Sequence, residues 1–224
     1  MNERKKEFDK TLIISRKCYK IKLSGGNNMI VTTLYLKEKY KDYTDINGKI
    51  KRDVENGILF PLVRGIYETN SETDGFLLSS YIYGPSYLSF EYALSYHNMI
   101  PERVMMYTNA TFNKRKSKLY KNHFGIFAYR DVPKDVFPFF VQVFEQDSYA
   151  YFMASAEKAL CDLLYIKKPV KSMKELKVLL FEDLRINRET FNELNFNDIK
   201  FLSSKYVSNN IKYLQKYIES EYRK

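Results

Sequence analysis

Asp45-Ile-Asn-Gly-Lys-Ile-Lys-Arg-Asp-Val-Glu-Asn56 runs directly into Gly57-Ile-Leu-Phe-Pro-Leu-Val-Arg-Gly-Ile-Tyr67. Ile46, Ile50 and Val54 are spaced i, i+4, i+8, which is one stripe of an amphipathic helix. Gly57 follows where a left-handed residue ends a helix. The apolar run from Ile58 predicts two short strands, with Pro61 at the turn or on an edge and Arg64-Gly65 near the second strand.

A helix followed by a β-ribbon has the form of the recognition helix and wing of a winged helix-turn-helix. At about 100° per residue, the side opposite the stripe centres on Gly48, Arg52 and Glu55, flanked by Lys49 and Lys51. Arg52 suits a guanine edge, Lys49 and Lys51 suit phosphates, Gly48 permits close backbone approach, and Arg64 falls on the wing. A second reading fits equally well: a small helix with a solvated charged face, since Asp53 and Glu55 repel phosphate. Upstream, one helix is expected over 30–40, capped by Thr32 or Thr33, with Leu34, Leu36 and Tyr40 on its apolar side. The winged unit is therefore a shortened one.

The 224 residues carry 37 Lys+Arg and 27 Asp+Glu, net +10. With 45% hydrophobic and 16% aromatic residues, global disorder is excluded. Abundant Lys, Asn, Ile, Tyr and Phe without Trp matches A/T-rich codons, which offers one explanation of the charge. Its distribution argues for another. Residues 1–70 are net +6, 71–102 net −4, 103–134 net +7 and 135–224 net +1. The second basic block contains Lys114, Arg115, Lys116, Lys118 and Lys121, either a surface for a nucleic-acid backbone or acidic partner, or a solvated loop tip.

No apolar run reaches the roughly 20 residues of a membrane span, so no membrane partner is expected. No segment has the form of a secretory signal. Cys18 and Cys161 form no CxxC pattern, which fits a reducing, cytoplasmic setting and no thiolate metal site. His97 and His123 read as packing or surface residues. Residues 1–28 end in Ser24-Gly-Gly-Asn-Asn28 and read as an extension that is not native, with translation beginning at Met29.

Beyond residue 76, a helix is expected over Tyr87–Met99 and strands over 103–108 and 124–129. A hairpin of Phe139–Phe144 with Tyr149–Met153 follows, then a helix from Ser155 to Tyr165 and a helical tail from Ser172. Glu157 and Asp162, five apart, differ by about 140° and do not share a face. A nuclease reading would need Glu145 and Asp147 brought to Glu157. There is no GxGxxG, P-loop, HExxH or GxSxG, so no catalytic residue, metal or cofactor is assigned.

Three strings in order carry a resemblance. They are Gly57–Tyr67, then Tyr83-Gly-Pro-Ser-Tyr-Leu-Ser-Phe-Glu-Tyr-Ala-Leu-Ser-Tyr-His97 followed by Ile100-Pro-Glu, then Ala154-Ser-Ala-Glu-Lys-Ala-Leu-Cys-Asp-Leu-Leu164. Over roughly 29–170 the chain resembles the AbiEi-type antitoxins of bacterial abortive-infection (type IV) toxin–antitoxin systems. The resemblance implies an α+β protein: a winged-helix DNA-binding domain over 29–75, then a mixed α/β antitoxin domain over 76–224 with a helical tail. It implies a non-enzymatic antitoxin that represses its own operon through inverted repeats in operator DNA. The cognate toxin of such systems resembles a nucleotidyltransferase. An interaction protein that neutralises its toxin without binding DNA is the alternative. The roles expected for Ser89 and Glu91 are cap and surface acid, and Glu157-Lys158-Ala159-Leu160 reads as packing.

Overall fold

Asp45 caps the helix that carries the Ile46/Ile50/Val54 stripe: its carboxylate accepts the backbone N–H of Gly48 at 2.8 Å. The computed structural model describes residues 29–221 of the chain. Cys18, the Gly/Asn run and the proposed extension over 1–28 lie outside the described residues. The described residues form a mixed α+β fold with two sheets.

The first sheet comes from residues 30–68. Strand β1 (Ile30–Thr32) leads into α1 (Thr33–Lys39), α2 (Ile46–Glu55), β2 (Phe60–Val63) and β3 (Ile66–Glu68). The three strands are antiparallel in the order β1-β3-β2. The expected helix over 30–40 is thus a strand followed by a shorter helix. Thr32 caps α1, its side chain accepting from the Tyr35 N–H at 3.2 Å. Leu34 is 79% exposed whereas Leu36 and Tyr40 are buried. Two residues apart on a helix differ by about 200°, so Leu34 and Leu36 cannot share a face.

The stripe of α2 does seat on a core. Ile50 is buried with Val31, Leu36, Tyr40 and Leu59, and Ile46 and Val54 pack against that cluster. Asn56 ends the helix and Gly57 follows at φ +68. Pro61 lies on β2, an edge strand, where its missing N–H costs no ladder bond. Gly65, at φ +83, makes the turn back into β3.

The second sheet is built from β4 (Tyr87–Leu88), β5 (Met106–Thr111), β6 (Lys118–Asn122), β7 (Gly125–Asp131), β8 (Val141–Gln146) and β9 (Tyr149–Ala154). Its order is β6-β7-β5-β4-β9-β8. The pairs β5/β7 and β4/β9 are parallel and the others antiparallel. Helix α3 (Gly75–Ile82) lies against the side carrying Tyr129, whose hydroxyl donates to the Ser79 carbonyl at 2.7 Å. Helix α4 (Phe90–Tyr96) lies against the opposite side, where the Tyr92 N–H donates to Thr108 Oγ1 at 3.0 Å.

The long helix expected over Tyr87–Met99 is therefore split. Tyr87 and Leu88 are buried strand residues bridging β5 and β9, and only Phe90–Tyr96 is helical. The hairpin and the helix after it form as expected: Ser155 caps α5 (Ala156–Ile166), accepting from the Lys158 N–H at 3.3 Å. Helix α5 packs against α4 and against two tail helices, α8 (Phe196–Ser203) and α9 (Asn209–Glu221). Between them run α6 (Met173–Val178), a π-helical turn (Leu179–Asp183) and α7 (Arg188–Asn192).

A buried carboxylate joins the two sheets. Glu68, 0% exposed, accepts from the Thr69 and Asn70 N–H groups and from the Tyr149 hydroxyl on β9. Nearby, Asn122 Nδ2 donates to the Leu62 carbonyl at 3.1 Å, and the Phe60 ring contacts His123 and Phe124. Among the described residues, no helix is long and apolar enough to cross a membrane.

Candidate nucleic-acid interface

Helix α2 and the β2–β3 turn enclose a groove of about 390 Å³. Asn47 and Lys51 line it from the helix, Pro61, Arg64 and Gly65 from the ribbon. Lys51 and Arg64 are both exposed, one on each of the two elements that line it. Lys51 pairs loosely with Glu55 at 3.7 Å, a contact between two solvated side chains that is worth little. Arg52 is exposed one residue further along the helix and does not line the groove.

Lys49 is placed differently. Its ammonium reaches the buried Asp53 carboxylate and sits over the rings of Tyr40 and Tyr43, 5.3 and 5.7 Å from their centroids. Its side chain is only 23% exposed. Burial alone would raise the pKa of Asp53; the bonds from Lys49 and Tyr40 outweigh it and lower the pKa below the ordinary carboxylate value. Burial, with the same carboxylate alongside, pushes the Tyr40 phenol up to about 12. Asp53 thus does not lie on a phosphate-facing surface: it is 1% exposed and locks α2 to the end of α1. Gly48 also has a local reason to be glycine, because an added Cβ would fall 1.8 Å from the capping Asp45 Oδ2.

The second basic block divides in the same way. Lys114 donates to the Gly84 carbonyl at 3.0 Å and covers the Tyr83 ring. Lys118 pairs in register with Tyr129 and so belongs to the α3 side of the sheet, whereas Lys121, opposite Ile126, belongs to the α4 side. Arg115 and Lys116 are exposed and line a separate groove with Arg130 and Lys167.

The remaining candidates are engaged locally. His97 Nε2 lies 2.9 Å from the Ala154 carbonyl, and His123 Nε2 lies 3.1 Å from that of Ser71. Glu157 accepts the Asn195 N–H at 2.9 Å, while Glu145 and Asp147 sit exposed on the β8–β9 hairpin. Among the described residues, no three His, Cys, Asp or Glu side chains are placed to share a metal ion.

No protein-family model matches the chain, and no curated protein matches it.

The cluster that sequence reasoning missed surrounds Asp162. Asp162 Oδ2 accepts from Tyr87 at 2.9 Å and Ser89 at 2.7 Å; Oδ1 accepts from Lys158 at 2.7 Å and from Tyr206. Lys158 also donates to the Tyr206 hydroxyl at 2.6 Å. Lys158 and Asp162 are both 0% exposed. Ser89 does not cap α4 with its side chain as expected; its hydroxyl is spent on Asp162. Burial lowers the Lys158 pKa against the opposing pull of Asp162, and burial pushes the Cys161 thiol up. A signal was present: Lys158 and Asp162 are an i, i+4 pair inside an otherwise apolar helix. With Lys158 and Asp162 fully buried, this cluster ties β4, α5 and the tail together.

Proposed function

We propose that the chain is an AbiEi-type antitoxin that represses its own operon, and that residues 29–68 are a shortened winged helix bound to promoter DNA. The observation that carries this reading is that exposed Lys51, from the helix, and exposed Arg64, from the turn of the β-ribbon, line one groove. The sheet order β1-β3-β2, with α1 before α2 and the β2–β3 ribbon directly after it, supports it. In this reading α2 enters the major groove, Arg52 reaches a base edge, and Lys51 and Arg64 hold phosphates. Lys49 fixes the helix rather than touching DNA. The antitoxin role, the 29–75 and 76–224 division and the nucleotidyltransferase-like toxin rest on the three ordered strings of sequence.

The test is binding to the DNA upstream of the chain's own reading frame, measured against salt. The Lys51→Ala/Arg64→Ala double variant should weaken binding and reduce the salt slope by about two. Parental affinity in that variant would reject this groove as the interface. Retained protection against the toxin without any promoter binding would favour the purely toxin-neutralising reading, which Asp42, Asp45 and Glu55 around the helix support.

A further inference from the structure

The larger basic surface lies elsewhere, at the carboxyl ends of the parallel strands β5 and β7. A groove of about 530 Å³ opens there, and four cations from three separate places converge on it. Arg115 and Lys116 come from the β5–β6 loop, Arg130 from β7, and Lys167 from the end of α5. Loops that leave the carboxyl ends of two neighbouring parallel strands diverge there and open a crevice between them.

The groove's two acids are already committed. Asp131 accepts from Thr111 Oγ1 at 2.6 Å and from the N–H groups of Lys114 and Arg115, both at 2.7 Å. This carboxylate folds the loop and holds Arg115 at φ +58, a backbone conformation that costs free energy for a residue with a Cβ. Glu91 is shared between Arg130 at 3.5 Å and Lys167 at 3.7 Å. Arg115 and Lys116 have no carboxylate partner among the described residues. They therefore present uncompensated charge at the mouth of the groove.

The positive strip continues along the sheet. Leu119 and Lys121 on the edge strand β6 share the face of Arg130, and Leu119 is 65% exposed. Cations spaced along a strip match a polymer of phosphates better than one small anion. Two of the cations are guanidinium groups, whose planar donors fit phosphate oxygens.

We propose that this groove binds the phosphate backbone of a nucleic-acid strand, independently of the α2 surface. The test uses the full chain and mixed-sequence single-stranded DNA and RNA that contain no promoter sequence. Arg115→Glu/Lys116→Glu should lower affinity by about tenfold or more, with a salt slope smaller by about two and an unchanged melting temperature. The loss caused by Arg115→Glu/Lys116→Glu should be the same size in the Lys51→Ala/Arg64→Ala background as in the parent, which separates the proposal from the promoter reading. Parental affinity and slope in the charge-reversed variant would overturn the proposal. So would binding of inorganic tripolyphosphate or of polyglutamate through Arg115 and Lys116 by a protein that holds neither strand.

Discussion

Tyr149 donates its hydroxyl to Glu68 Oε2 at 2.7 Å, in a buried contact that joins the three-stranded sheet to the six-stranded one. The two N–H groups that Glu68 also accepts fix the chain as it leaves β3. Removing the phenolic oxygen strands a carboxylate oxygen where water does not reach. Tyr149→Phe should cost about 1–3 kcal/mol, seen as a lower urea midpoint. Hydrogen exchange at residues 66–70 should rise more than in the Asp162 region. Equal protection at both places would mean that this bond does not hold the junction.

Lys158 and Asp162 should respond to mutation as a unit. Asp162→Leu leaves a buried ammonium with only a tyrosine hydroxyl, and should cost about 3–5 kcal/mol. Lys158→Met should be milder, because Tyr87, Ser89 and Tyr206 still donate to Asp162. The double variant Lys158→Met/Asp162→Leu should be more stable than the sum of the singles requires. Additive losses in urea titrations would rule out the coupling.

Asp53 sets an acid limit on the first sheet. Its folded pKa is lowered, so the stability that it contributes is complete above the unfolded value near 4 and is lost as pH falls through the folded pKa. Near-neutral solutions should show the full contribution, and acid titration should loosen α2 before it loosens α5. Asp53→Asn should remove that acid step at a cost of about 1–3 kcal/mol at pH 7. An unchanged acid profile, followed by circular dichroism and exchange, would contradict the pairing with Lys49.

Lys49→Met tests what the lysine does. Its ammonium is held by Asp53 and two tyrosine rings, so the variant should lower the melting temperature. The salt slope of promoter binding should stay within about half of one ion of the parent. A drop of a full ion at unchanged stability would return Lys49 to the DNA surface.

Gly75 is a packing requirement at the start of α3. A Cβ there would lie 2.4 Å from Tyr107 Cε2 and 2.6 Å from the Phe124 carbonyl oxygen. The second of these is backbone and cannot swing aside. Gly75→Ala should destabilise by about 1–3 kcal/mol despite the better helix propensity of alanine. A stabilised variant in thermal melts would show that α3 can shift outward.

Local sequence determined the elements whose signals are local. The Asp45 cap, the Ile46/Ile50/Val54 stripe and the Gly57 stop fix α2, because a helix is specified by neighbours three and four residues apart. The β8–β9 hairpin and the Ser155 cap follow for the same reason. Tertiary packing decided the rest. Gly75–Ile82 is apolar on nearly every side, so it has no periodicity to read, and β1 and β4 are too short to show one. The charges depended most on tertiary structure. Sequence placed Lys49 beside Lys51 and Lys114 beside Arg115, as equals. Only the folded chain, by setting Asp53 under one and the Gly84 carbonyl under the other, left Lys51, Arg64, Arg115 and Lys116 to face outward. A charge is withdrawn from a partner where the fold buries the group that it meets: Asp53 is four residues from Lys49 but is buried by packing against the end of α1, and the Gly84 carbonyl is thirty residues from Lys114.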